Sequence, residues 1–441
     1  MGSCSSRSWF PSILPIAGSP RMARRILLHK DMTKETLYFV GGLFPRERED
    51  EIRRLTKSGL QNAANNLQWK FVHGYDLCLG EDNVHLLNSE YIGSFPKRYG
   101  GVLIPRYTFR HAKGESSDVG AGFVNLPVLK EFSRASRLKA ELRRINCEED
   151  ERLYFVGYAA TYPIVTALKF AKRRFPDSVC CLIVPDLPQY MELGENGAGL
   201  LHRIKNHVVS CGMRGMDCYV PLTAAMAPCL GADLSHCAVV EGIADVSGAE
   251  LARIPNASLP ARYILYTGTL QYRYGIGDLL SAFKHIDDGD VGLVICGDGE
   301  AVEEIQKMQS EDSRVRYLGV LTTEEVAILR SGATVLVNPR KNEGEYTKFS
   351  FPSKMMEYLA SGVPTVAYKL DGMPDDYEGL FVDAAQDGLD VAIERVLKMS
   401  PEKASNLAER ARAFVLREKC PERQCEKTLE LLRKEAERNE R

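Results

Sequence analysis

The chain has 441 residues, with 57 basic and 59 acidic side chains and a formal net charge of −2. That length exceeds one average core and predicts two domains, and 44% apolar with 26% charged residues is the balance of a soluble globular protein. The near-neutral charge argues against nucleic acid as the main partner, and no apolar run reaches the roughly 18 residues that a membrane span requires.

Residues 1–31 stand apart. MGSCSS fits the myristoylation pattern at Gly2, with Cys4 as a second acyl site, but so short a pattern arises by chance. SWFPSILPIAG is a signal-like apolar run broken by prolines. The expectation is a disordered extension, or residues upstream of the true start, with the folded part beginning at Met32. Twelve cysteines are scattered without a C-x2-C pair. Those in apolar runs, such as Cys180, Cys181 and Cys296, read as core thiols, and a reducing cytosol is the simplest setting.

LYFVGGLFP (37–45) reads as a strand ending in Gly41-Gly42, followed by a helical run over 59–73. VHLLNS (84–89) and GVLIP (101–105) are strand candidates, and 127–145 has helical spacing. RLYFVGYA is a strand, YPIVTALKFAKRRF a helix, and VCCLIVPDLP a fully apolar strand that runs into a loop. VVSCGMRGMDCYVPLT passes from helix to strand, and HCAVVEGIA closes the region. Such alternation predicts a parallel sheet covered on both faces. It pauses at 241–262, EGIADVSGAELARIPNASLPAR, which reads as an interdomain connection. The sequon Asn256-Ala-Ser258 within it is read as a chance match. Two helices carry basic residues: Lys169, Lys172, Arg173 and Arg174 on one, Arg134, Arg137, Lys139, Arg143 and Arg144 on the other. They are either ordinary solvated helices or a surface for an anionic membrane.

The alternation then restarts with ARYILYTGTL, VGLVICGDG, VRYLGVL, TVLVNP and VPTVAYKL as strands and amphipathic helices between them. This is a doubly wound pattern, in which ligands sit at the carboxyl ends of the strands. Gly268-Thr269, Gly297-Asp298-Gly299 and Leu318-Gly319 all fall at those ends. The chain is helical and charged from 401, and Pro421 divides that part into two helices. The domains expected are 32–245, 260–400 and a helical segment 401–441 that packs at least partly back on the first.

Residues 338–367, NPRKNEGEYTKFSFPSKMMEYLASGVPTVA, carry the most chemistry. Proline suits the first helical position, so Phe351-Pro352-Ser353-Lys354 reads as a helix start. The free amides of such an end attract an anion, and Lys354 adds a full charge. Glu357 lies one turn further on and faces the same space. A pyrophosphate on the helix tip and ribose hydroxyls on Glu357 fit this arrangement; the bland alternative is a capped helix with a solvated glutamate.

Two Rossmann-like doubly wound domains facing a central cleft, joined near 250, resemble the α/β GT-B glycosyltransferases. More narrowly, the chain resembles the fourth family of retaining glycosyltransferases that build bacterial surface polysaccharides. The resemblance rests on YTGTLQYRYGIGDLL (266–280), LVICGDGE (293–300), VRYLG (315–319), NPR (338–340) and FSFPSKMMEYLASGVPTV (349–366). In the first half IVPDLPQYM (183–191), VPLTAAMA (220–227) and VVEGIAD (239–245) contribute. It implies an acceptor-binding first domain and a nucleotide-sugar-binding second domain. Glu357 matches the second carboxylate of an E-x7-E motif and would bind the donor ribose, while Ser353 and Lys354 hold the diphosphate. The loop after TGTL usually reads G-x-L-x-x-x-K-G; here Tyr274 stands at the lysine position, with Arg273 just before it. Gly41 and Gly42 match a loop that approaches the donor phosphates, and Leu318 and Gly319 would meet the base through main chain. There are departures. Phe349, not Glu, lies eight residues before Glu357, with Glu343 or Glu345 as substitutes from the preceding loop, and GYAATYP (157–163) lacks the histidine of relatives.

The expected reaction moves a sugar from a UDP- or GDP-linked donor to a sugar or lipid-linked glycan acceptor, with retention. No further cofactor is expected, nor a metal, because no Asp-x-Asp motif lies in a suitable loop; Asp375-Asp376 reads as a solvated turn. Arg273, Lys354 and Glu345 are the expected catalytic residues, and Gly41, Gly42, Thr269, Arg273, Gly319, Arg340, Ser353, Lys354 and Glu357 the donor-binding ones. The expected location is cytoplasmic, with peripheral contact at the inner face of a membrane. Two readings compete: a nucleotide-sugar 2-epimerase of the same layout, and a catalytically impaired nucleotide-binding partner of an active transferase. A dinucleotide oxidoreductase is disfavoured because no G-x-G-x-x-G follows the first strand.

Overall fold

The apolar runs become buried parallel strands in two separate sheets. The computed structural model describes residues 34–113, 118–148, 150–187, 200–244 and 259–440. The 1–31 extension with its acylation pattern, the sequon, and residues 245–258 of the connection lie outside these.

The first sheet contains β1 (Lys34–Gly41), β2 (Val84–Asn88), β4 (Tyr107–Phe109), β5 (Asp118–Gly120), β7 (Glu151–Tyr158), β8 (Val179–Val184) and β9 (Cys218–Pro221). Its spatial order is β4-β5-β2-β1-β7-β8-β9, with only the β4–β5 pair antiparallel. GVLIP does not join it. Leu103–Ile104 (β3) pairs instead with Phe123–Val124 (β6) in a separate two-stranded ribbon, because Pro105 cannot donate to a longer ladder. The second sheet contains β10 (Arg262–Thr267), β11 (Val291–Cys296), β12 (Val315–Tyr317), β13 (Val335–Asn338), β14 (Thr365–Ala367) and β15 (Val382–Asp383). It is parallel throughout, in the order β12-β11-β10-β13-β14-β15. Both sheets therefore change winding direction next to their first strand, between β1 and β7 and between β10 and β13. Loops leaving a sheet at such a point diverge and open a crevice.

Helices cover both faces. α1 (Asn62–Leu79) packs on one face of the first sheet, and α2 (Leu129–Leu142) and α3 (Tyr162–Arg174) cover the other. In the second domain α4 (Ile276–Lys284) lies on one face, and α5 (Thr323–Gly332) and α6 (Ser353–Ala360) on the other. The chain then returns through α7 (Pro401–Glu418) and α8 (Pro421–Asn439), and α8 packs on α1. That contact is close: a Cβ at Gly74 would meet Cys425 Sγ and the Pro421 carbonyl at 2.4 Å. Arg433 adds an ion pair with Glu35 at 2.6 Å. Among the described residues no helix is long and apolar enough to cross a membrane.

The basic reading of α2 needs one correction. Arg134 is buried and donates to the Ser89 hydroxyl and carbonyl, so it tethers α2 to the end of β2 and is not part of a surface charge array. Near the domain junction the Lys419 ammonium meets both oxygens of Glu241 at 3.1 and 3.0 Å, with side chains 4% and 5% exposed. The aromatic rings of Tyr377 and Phe414 flank that ammonium at 5.2 and 5.6 Å.

His111 fastens the β4 edge to α1. Its ring nitrogens lie 2.8 Å from Asp118 and 3.1 Å from Asp76, and its side chain is fully enclosed. Burial alone would lower its pKa, but hydrogen bonds to the two carboxylates outweigh burial and raise it to about 9. A raised folded-state pKa stabilises fully below the unfolded value near 6.5 and loses that contribution as pH climbs through 9. Thermal unfolding followed from pH 6.5 to 9.5 is expected to show a falling Tm, with the slope flattened in His111→Gln.

Candidate active site

The cleft wall of the second domain is built around α6. Phe351, Met355 and Leu359 are buried against Tyr377, Ala411 and Val415, and each such burial contributes roughly 1.5–3 kcal/mol. No side chain caps the helix start, whose N-cap is Pro352. An absent cap forgoes only about 1 kcal/mol, so the apolar face fixes the helix and leaves its tip amides available to a ligand. Ser353 is exposed at that tip.

Glu357 lies one turn deeper. Its carboxylate accepts from Lys354 Nζ at 3.1 Å and pairs with Arg330 of α5. Burial alone would raise its pKa; Lys354 and Arg330 outweigh burial and hold it below the ordinary value. Lys70 of α1 adds a smaller pull from the first domain, while its own ammonium donates to the Ile243 carbonyl at 3.0 Å. Lys354 therefore acts first on Glu357, and Arg330 is a partner the sequence did not suggest. No local spacing links Arg330 to Glu357, 27 residues away.

The switch-point loops after β10 and β13 meet beside this helix. Gly275, at φ 83°, lets them do so: a Cβ there would lie 2.1 Å from the Pro339 carbonyl. Tyr274 collects two guanidiniums. Arg273 stands 4.9 Å and Arg340 5.5 Å from its ring centroid, within cation–π reach. Arg340 also lies 5.2 Å from the Tyr346 ring and donates to Ser350 Oγ at 2.8 Å. Its Nε is buried with no protein partner, an unused donor next to the helix tip. Arg273 is exposed and bonds Gln271 at 2.7 Å. Thr269 is exposed on the same loop, its carbonyl accepting from Tyr266 at 2.9 Å. Gly319, at φ 69°, has open space on its Cβ side, and its carbonyl accepts from Gly297 N at 2.8 Å.

Some expected residues are placed elsewhere. Glu345 is 83% exposed and pairs with Lys348 at 3.3 Å, so it does not join Arg340 or Glu357. Its 3-10 turn, Glu345–Phe349, aims it outward and turns Thr347 inward. Gly41 and Gly42 are buried, and the Gly42 amide is engaged by Gln68 Oε1 at 2.8 Å. Added Cβ atoms would strike Gln68 and Tyr91 at 2.5 and 2.4 Å. Packing accounts for both glycines, and the Gly42 amide is not free for a phosphate. Phe349 packs against the core of the first domain. Beside it the Lys348 carbonyl accepts from Thr223 Oγ1 at 2.8 Å, so this position joins the two walls of the cleft.

Asp186 is the residue sequence reasoning passed over. It follows β8 within IVPDLPQYM, a segment noted only for its resemblance. It is exposed to solvent, yet partial burial of its carboxyl pushes it up to about 6, opposed by the Arg340 charge from the second domain. Among the described residues no three His, Cys, Asp or Glu side chains converge on a metal-sized site.

Residues 261–399 match the family model described as glycosyl transferases group 1. The alpha,alpha-trehalose 6-phosphate synthase of Burkholderia multivorans superposes with a TM-score of 0.60 at 11% identity, covering 92% of this chain and 99% of that one. Sucrose-phosphate synthase from Thermosynechococcus elongatus gives 0.57 at 16% identity, over 90% and 98% of the two chains. HepE of Anabaena, in complex with UDP, gives 0.56 at 11% identity, over 90% and 100%. The fold is GT-B. No curated protein sequence matches the chain.

Removing Arg340 takes away the cation that opposes the burial of Asp186. Arg340→Gln is expected to move the Asp186 midpoint upward from about 6, measured by carboxyl carbon NMR titration; an unchanged midpoint would show that the two groups do not sense each other.

Proposed function

We propose that this protein is a glycosyltransferase that moves a sugar from a UDP- or GDP-linked donor to an acceptor hydroxyl in surface polysaccharide or glycoconjugate synthesis, with retention of configuration and without a metal. The observation that carries this reading is the conjunction at the second domain's switch point. An uncapped helix tip and the unused Arg340 donor stand beside an ionised Glu357 held by Lys354 and Arg330. The group 1 family match over 261–399 and the UDP bound by HepE support a nucleotide donor.

In the reaction the bond from the sugar to the diphosphate breaks and a bond to the acceptor oxygen forms. Charge grows on the departing diphosphate. Arg340, Arg273 and the α6 amides stabilise it as fixed donors, which is where such sites gain most of their rate. Glu357 orients the donor through its ribose hydroxyls, and Gly319 leaves room for the base. Asp186, poised near neutrality on the acceptor side, is suited to accept a proton from the attacking hydroxyl. Eleven free thiols among the described residues support a reducing, cytoplasmic setting. A second reading is favoured by Phe349, which fills an interdomain contact where the resembled motif carries a carboxylate. It makes the chain a nucleotide-binding partner of an active transferase.

A thermal-shift screen over UDP-, GDP- and ADP-sugars is expected to give stabilisation by one donor, lost in Glu357→Ala. Equal stabilisation of that variant would remove Glu357 from the site. With a matched acceptor, Arg340→Ala is expected to lower kcat by about a hundredfold or more, and a chelator to leave the rate unchanged. Donor binding with no transfer or hydrolysis would favour the partner reading.

A further inference from the structure

The proposed chemistry leaves unused a cavity at the β4 edge of the first sheet. Its walls come from two stretches of sequence. PREREDE (45–51) leads into the short helix Glu49–Leu55, and PRYTF (105–109) runs into β4. The cavity has a volume of about 310 Å³, and Arg48, Glu51, Pro105, Tyr107, Thr108 and Phe109 contribute to its lining. Sites for small ligands begin at about this size.

Arg48 organises the polar wall. Its NH1 donates to Glu90 Oε1 at 2.9 Å, and its NH2 and Nε reach Glu51 Oε2 at 3.1 and 3.2 Å. The same Glu90 oxygen accepts from the Tyr107 hydroxyl at 2.7 Å. Glu90 therefore stands directly behind two lining residues and fixes both. It is 1% exposed, and its second oxygen has no hydrogen-bond partner among the described residues. Neither has the hydroxyl of Tyr99, a buried ring within reach of the charges on Glu51, Arg48 and Glu90. Buried polar atoms in folded proteins are nearly always paired, so two unpaired ones behind one cavity mark it as more than a packing gap.

The apolar wall is aromatic. Tyr107 and Phe109 share one face of β4, with ring centroids 5.7 Å apart, and Arg48 lies over the Tyr107 ring at 4.5 Å. Thr108 points to the other face yet also lines the cavity, so the space wraps the outer side of a strand that ends the sheet. Glu51 and Thr108 are exposed and leave the cavity open to solvent.

We propose that this cavity binds one neutral pyranose unit, with the Arg48–Glu51 pair on neighbouring hydroxyls and the C–H face of the ring on Pro105, Tyr107 and Phe109. A sugar hydroxyl both donates and accepts, and a guanidinium beside a carboxylate offers both complements. A phosphorylated sugar is disfavoured, because Glu47, Glu51 and Glu90 crowd around Arg48. The bound unit is not the one that reacts. β4 and β8 lie five positions apart in the sheet, about 24 Å, and Asp186 follows β8. Tyr107 pairs with Gly120 at the end of β5, so the cavity opens at the same end of the sheet as the switch-point crevice. Asn88 connects the two: its Nδ2 lies 3.4 Å from the Tyr107 hydroxyl and 3.0 Å from the Leu43 carbonyl, in the loop after β1. A glycan of several units would thus be held by a remote sugar while another reacts. That consequence rests on the transfer reading; the binding of the sugar does not.

The test is saturation-transfer NMR of the full-length protein with the methyl glycosides of glucose, galactose, mannose and N-acetylglucosamine, and with glucose 6-phosphate. Saturable binding of at least one methyl glycoside is expected, with glucose 6-phosphate weaker. Glu51→Ala is expected to weaken that binding about tenfold or more, the loss of one hydrogen bond to a charged group. Thr108→Trp, which fills the cavity from an exposed strand position, is expected to abolish it. Both positions are exposed, so both variants should keep the wild-type Tm and the wild-type thermal shift with a nucleotide sugar, which separates this site from the donor site. Absence of saturable binding by every glycoside, binding unchanged in both variants, tighter binding of glucose 6-phosphate, or binding displaced by UDP or lost in Glu357→Ala would each overturn the proposal.

Discussion

Glu357 keeps its charge because Lys354 and Arg330 are held against it, and the proposed chemistry depends on that arrangement. A carboxylate in such crowded surroundings would otherwise take up a proton and lose its capacity as a double acceptor. The same pairing has a second effect. It gathers positive charge at the mouth of a helix whose amides already point outward. The proposed reading uses both within one turn: anion binding at the tip and hydroxyl binding below it. Removing Glu357 would leave two cations repelling each other where order is most needed.

The layered α/β architecture was legible because it is written in periodicity. Fully apolar runs such as VCCLIV and VGLVIC have few alternatives to buried parallel strands, and the helices between them carry regular stripes. The tip at Ser353 and the position of Glu357 were legible for the same reason, since both follow from local helix geometry. The rest of the site was not. Arg330 reaches Glu357 from another helix, Asp186 faces Arg340 from another domain, and Arg273 and Arg340 meet on Tyr274 through two different loops. Each of these contacts is created by tertiary closure and leaves no trace in local spacing. Glu345 shows the opposite case: proximity in sequence suggested a role, while a single 3-10 turn aims its side chain outward to Lys348.

Tyr274 also recasts a departure from the family pattern. A lysine at that position would supply one mobile charge. The tyrosine supplies none, yet its ring orders two guanidiniums, each with planar donors suited to phosphate oxygens. In the proposed reading, substitution at one position is compensated by residues before it and far beyond it. Phe349 is different in kind, because it exchanges a sugar-facing acid for an apolar contact between domains. In the proposed reaction the two departures bear on separate steps, the first on donor charge and the second on the contact between domains.

The buried pair of Lys419 and Glu241 sits where the polypeptide leaves the first domain and where it comes back to it. Parting the two would strand an ammonium and a carboxylate in a place with little water, a change that typically destabilises by several kcal/mol. Cleft opening that preserved the pair would have to be a rotation with its axis through this point, like shears about their rivet. The largest displacements would then fall at the far lips of the cleft, and the residues nearest the axis would scarcely move.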